Sequence, residues 1–87
     1  MWLVTPEGFY SAVQKPGDSH LTVRARVAAD LDRLRSTHLP ELGRTRAGEG
    51  TDYPFRASVS HADFGAAVAR MAHAIDYPNF KSAVAQR

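Results

Sequence analysis

The chain has 87 residues, 44% of them apolar and 23% charged, which fits one small soluble globular domain and excludes a disordered or fibrous chain. A chain of this size buries only about 60–65% of the surface its unfolded form exposes, so its core is limited. The formal net charge of +2 is too weak to announce a nucleic-acid partner, and the lack of cysteine excludes disulfides, zinc–thiolate centres and thiol nucleophiles. A cysteine-free chain suits the reducing cytoplasm. The opening Met1-Trp2-Leu3-Val4 is too short for a signal peptide, and no apolar run approaches the roughly 20 residues needed to cross a bilayer. No membrane partner is expected.

Trp2 to Thr5 and Phe9 to Gln14 read as two strands joined at the turn-forming Pro6-Glu7-Gly8. Lys15-Pro16-Gly17-Asp18-Ser19 is a second turn, leading into Leu21-Thr22-Val23-Arg24-Ala25-Arg26-Val27. That run alternates without a fault, so a strand there points Leu21, Val23, Ala25 and Val27 inward and Thr22, Arg24 and Arg26 outward. Three strands with short connections imply an antiparallel meander. From Ala28 to Leu39, Val27, Leu31, Leu34 and His38 recur at helical spacing, and Pro40 ends the helix. Residues 40 to 52, with three glycines, Arg44 and Arg46, have no periodicity and read as a mobile surface loop.

Tyr53 to Val59 forms the fourth strand, with Tyr53, Phe55, Ala57 and Val59 inward and Arg56 and Ser58 outward. Ser60 then caps a helix carrying Asp63 in its first turn and an apolar stripe of Phe64, Ala67, Val68, Met71 and Ile75. Pro78 breaks the pattern, and Asn79 to Gln86 can form a short final helix. The order β-β-β-α-β-α predicts a single α+β domain over residues 1–87. Its architecture is a two-layer sandwich in which a four-stranded, mainly antiparallel sheet carries its helices on one face.

The uncovered sheet face is the first candidate for chemistry. Arg24, Arg26 and Arg56 would present guanidinium forks there, with Lys15 and Gln14 beside them; forks of this kind suit phosphate or carboxylate. Tyr10 or Tyr53, if turned outward, would add a stacking surface. The alternatives are a solvated face whose arginines pair with acidic neighbours, and a face that meets a second copy of the chain. Arg44 and Arg46 lie among glycines that match no phosphate-loop pattern, though a basic loop there could clasp a backbone.

His20, His38, His61 and His73 show no metal-ligand spacing, so no metal site is expected, and nothing calls for a cofactor. The serines lack a Gly-x-Ser-x-Gly elbow, and Asp18-Ser19-His20 is a turn without triad geometry, so no catalytic residue is assigned. Asp76-Tyr77-Pro78-Asn79-Phe80-Lys81 sets two aromatics and a lysine about a proline. Tyr77 and Phe80 suit the edge of the core, and Lys81 could reach the margin of the basic face.

Met1-Trp2-Leu3-Val4-Thr5, Gly8-Phe9-Tyr10-Ser11, Gln14 to Asp18, Leu21 to Val27, Gly50 to Ala57 and Ile75 to Lys81 together resemble a family of small uncharacterised bacterial proteins. The resemblance covers nearly the whole chain; it implies a bacterial source and supplies no catalytic residue. Three functions are open. The first is a non-enzymatic cytoplasmic module holding a nucleic acid or nucleotide through Arg24, Arg26, Arg56, Lys15, Tyr10, Tyr53 and Lys81. The second is a homodimer or larger homo-oligomer that uses the same face. The third is a small enzyme cleaving nucleotides or phosphoryl groups with Asp18, His20 and the arginines.

Overall fold

A computed structural model describes residues 1–85. The fold is α+β, built on an antiparallel sheet of five strands with three helices. Strands β1 (Trp2–Thr5), β2 (Gly8–Val13) and β3 (Leu21–Ala25) form the expected meander. Helix α1 (Ala28–Thr37) follows, then β4 (Arg46–Ala47), β5 (Phe55–Val59), α2 (His61–His73) and α3 (Phe80–Ala85). The strand order is β1-β2-β3-β5-β4, so β5 pairs with β3 and the short β4 forms the far edge.

The fifth strand is a correction to the four expected, and it falls inside the stretch expected to be a mobile loop. Leu42 is buried in the core, and Gly43 N donates to Ser58 O at 2.9 Å. Arg35 on α1 spreads its fork over the same segment, donating to Leu42 O at 3.2 Å, Gly43 O at 2.6 Å and Thr45 Oγ1 at 2.9 Å. The final helix begins at Phe80 rather than Asn79; its expected end at Gln86 lies outside the described residues.

The core draws on both the sheet and the helices. Tyr10, Ala12, Val23, Ala25, Ala57 and Val59 point inward from the sheet and meet Leu31, Leu34, Leu39, Leu42, Phe64 and Ala67. Alanines at 12, 25, 57 and 67 keep the packing close, so a few larger side chains fill the space. Each fully buried leucine contributes roughly 1.5–3 kcal/mol. The α2 cap forms as the sequence indicates, with Asp63 N donating to Ser60 Oγ at 3.1 Å. Val27, expected inward, is 49% exposed because β3 ends at Ala25 and Val27 instead occupies the N-cap of α1.

No side chain caps α1; Asp30 in its first turn ties the helix to the β1–β2 hairpin. Its buried carboxylate accepts from Phe9 N at 3.2 Å and pairs with Arg33, while Arg33 Nε donates to Glu7 O at 2.6 Å. Gly8 permits this approach: a Cβ there would sit 2.6 Å from Tyr10 Oη and 2.8 Å from Asp30 Cγ.

Tyr10 is 1% exposed, which corrects its expected place on the open face. The Leu3–Tyr10 pairing turns it toward the helices, and Phe9 takes the outward position. Burial first, and the Asp30 carboxylate second, push its hydroxyl up to about 12. A raised acid pKa favours the protonated form in the folded state. The associated stability is therefore fully present below about pH 10 and lost as pH rises through about 12, a change of roughly 3 kcal/mol. Denaturant titrations at several alkaline pH values should show this loss in the wild type and not in Tyr10→Phe.

Candidate functional site

The register places one residue from every strand in a single row across the open face. Trp2 pairs with Ser11, Ser11 with Arg24, Arg24 with Arg56 and Arg56 with Arg46. Directly opposed residues of an antiparallel ladder share a face, so three arginines stand side by side on β3, β5 and β4. At a strand spacing of about 4.8 Å the row sets Arg24 and Arg46 about 10 Å apart along the backbone.

Among the described residues these arginines have no anionic partner within ion-pair distance. The ion pairs among the described residues join Arg33 to Asp30, Arg35 to Asp32, His38 to Glu7 and Arg70 to Glu41, and none involves Arg24, Arg26, Arg46 or Arg56. Their polar contacts are few. Arg24 Nη2 donates to Ser11 Oγ at 2.9 Å, and Arg46 Nη2 reaches Ser58 Oγ at 3.4 Å. The Nε atoms of Arg24 and Arg56 are buried without any acceptor. Like charges directly opposed across strands cost stability, and a buried unsatisfied donor adds roughly 1–3 kcal/mol more. An oxyanion laid along the row would offset the like-charge opposition.

Beside the row, Lys15, Asp18, Thr22, Arg46, Gly48 and Arg56 line a cleft of about 350 Å³. Three cations face one carboxylate there. Gly48 lies against the Arg56 guanidinium at ordinary contact distance: a Cβ there would sit 3.8 Å from Arg56 Cζ. Thr22 and Ser11 face the same side yet are only 5% and 2% exposed, and the Arg24 guanidinium reaches over to Ser11 Oγ.

The other half of the face is apolar. Trp2, Val4 and Phe9 are 60%, 59% and 43% exposed. The two halves meet at Tyr53. Its ring lies edge-on to Trp2, centroids 5.0 Å apart at 65°, and the Arg26 guanidinium sits 5.4 Å over it. Trp2 belongs to β1, whereas Tyr53 precedes β5, so the ring pair bridges the intervening β2 and β3. Pro54 interrupts the alternation of the fourth predicted strand, and Tyr53 is therefore not the inward residue the pattern indicates.

Arg24, Arg26, Arg56, Lys15 and Tyr53 are thus brought to one face, and Tyr10 and Lys81 are not. Lys81 is exposed on α3, whose Ser82 and Ala83 line a cleft with Pro6 and Glu7 and share no cleft with the arginines. Sequence reasoning missed Trp2 and placed Arg46 only in a loop. His20 Nδ1 lies 3.3 Å from Ser19 Oγ in an exposed turn. Among the described residues no group of three His, Asp or Glu side chains is arranged to hold a metal ion, and no helix is long and apolar enough to cross a membrane. Comparison of the chain with protein-family models, curated proteins and solved structures finds no match to any of them.

Proposed function

We propose that this chain is a cytoplasmic, non-enzymatic binding module that holds an anionic partner, a nucleic acid or a nucleotide, on the open face of a two-layer fold. The observation that carries the reading is the row Arg24–Arg56–Arg46, which lacks any carboxylate partner and keeps two buried Nε donors unsatisfied. Guanidinium forks match phosphate geometry, and Lys15 and Arg26 widen the field on either side. The test is fluorescence anisotropy with a labelled single-stranded oligonucleotide at low and high salt. Affinity should fall steeply with salt and weaken at least tenfold in Arg24→Ala/Arg26→Ala. Unaltered binding by that double variant would refute the assignment.

A second reading, a homodimer that uses the same face as its interface, is favoured by the exposed Trp2 and Val4 in the apolar half of that face. Sedimentation over a concentration series distinguishes the two. A dimer that buries the arginines leaves no cationic surface for a ligand.

A further inference from the structure

Resting on the anion-binding reading above, we infer that the ligand is a single-stranded nucleic acid lying across the strands, with a base stacked at Trp2 and phosphates on Arg24, Arg56 and Arg46. The row has two chemically different ends. Trp2 on β1 offers an indole that is 60% exposed, and the three arginines occupy the other end, beyond Ser11. A base-free polyanion would use only the cationic end. Stacking on an indole needs a π-face that is free, and in a duplex the bases are stacked on each other, so an unpaired base is required.

The join between the two ends supports the same ligand. Trp2 is not a loose side chain, because Tyr53 meets it edge-on and the Arg26 guanidinium in turn lies over the Tyr53 ring. The platform is therefore set in place before a base arrives, and the guanidinium of Arg26 lies beside it where a sugar–phosphate link would pass. Charge complementarity favours a polyanion over a second copy of the chain, since two copies meeting face to face would bring two arginine rows into one interface without adding an anion. Aromatic stacking with flanking arginines also accepts any base, which predicts weak sequence preference.

Trp2 is the single tryptophan of the chain, so its emission reports on the platform directly. The experiment titrates the protein with a short oligothymidylate and, separately, with inorganic polyphosphate and with a DNA duplex, reading Trp emission and affinity together. Quenching by the oligothymidylate alone, with Trp2→Ala binding it roughly 5- to 150-fold more weakly and Trp2→Phe nearly as well as wild type, supports the inference. Polyphosphate affinity should be unchanged in Trp2→Ala. If polyphosphate, duplex and oligothymidylate bind alike and Trp2→Ala matches wild type, the stacking assignment is overturned while the anion-binding face stands. If none of them binds, both are overturned. Concentration-dependent self-association that shifts Trp emission without ligand overturns the inference in favour of a second copy. Circular dichroism of each variant confirms that it is folded before binding is read.

Discussion

Asp30→Ala is expected to lower the unfolding free energy by about 3 kcal/mol, the largest stability loss for any single polar side chain in the fold. Its carboxylate joins three segments: the first turn of α1, the backbone N–H of Phe9 on β2, and Arg33, which in turn reaches Glu7 O in the hairpin turn. Alanine leaves the Phe9 N–H without that acceptor and Arg33 without its counter-charge. Hydrogen bonds to charged groups contribute roughly 1.5–3 kcal/mol each, and the helix N-terminus adds roughly 0.3–1 kcal/mol. For a domain of this size the midpoint of thermal unfolding should fall by roughly 15 °C. Asp32, whose side chain is 70% exposed in its pair with Arg35, is the control. Asp32→Ala should cost less than about 1 kcal/mol. Equal losses in the two variants would show that the buried tie does not hold hairpin to helix.

Arg56→Ala should do the opposite, weakening binding while leaving the fold intact. Arg56 is the centre of the row, directly opposed to Arg24 on one side and Arg46 on the other. Removing it deletes one charge-assisted phosphate contact, worth roughly 1.5–3 kcal/mol, so oligonucleotide affinity should drop by roughly 10- to 150-fold. It also relieves two like-charge oppositions, each worth roughly 0.2–1 kcal/mol, and removes a buried donor that has no acceptor. Thermal unfolding should therefore be unchanged or shifted upward. A residue that costs stability when free and binds when occupied is the signature expected of a ligand site. A variant that binds normally but unfolds several degrees earlier would instead make Arg56 a packing residue whose stem covers Thr22.

How much of this was legible in the sequence depended on the contrast between the two faces of each strand. Leu21 to Ala25 alternates apolar with Thr and Arg, so its facing could be read directly, and Arg24 and Arg56 fell where expected. In β1 and β2 both faces carry apolar residues: Trp2 and Val4 outward, Leu3 and Tyr10 inward. A period of two is invisible there, which is why Tyr10 was expected outward and Trp2 was not noticed. The register between β1 and β2 decides it, and register is a tertiary property. Arg46 was harder still. A two-residue strand flanked by Thr45 and Gly48 has no period, and it exists because Arg35 clamps the preceding segment and β5 offers an edge. The partner of Asp30 at Phe9 lies 21 residues away, so only the fold reveals it. Ser60 was legible because a cap and its target are three residues apart.

The central claim is that Arg24, Arg56 and Arg46, with Arg26 beside them, form a phosphate-binding row. The most direct test is the slope of log affinity against log salt for a single-stranded oligonucleotide. Three to four phosphate contacts predict a slope of about −2 to −3, equivalent to a roughly 20- to 50-fold loss of affinity between about 50 and 200 mM salt. A slope near zero, or one that does not become shallower in Arg56→Ala, would contradict it.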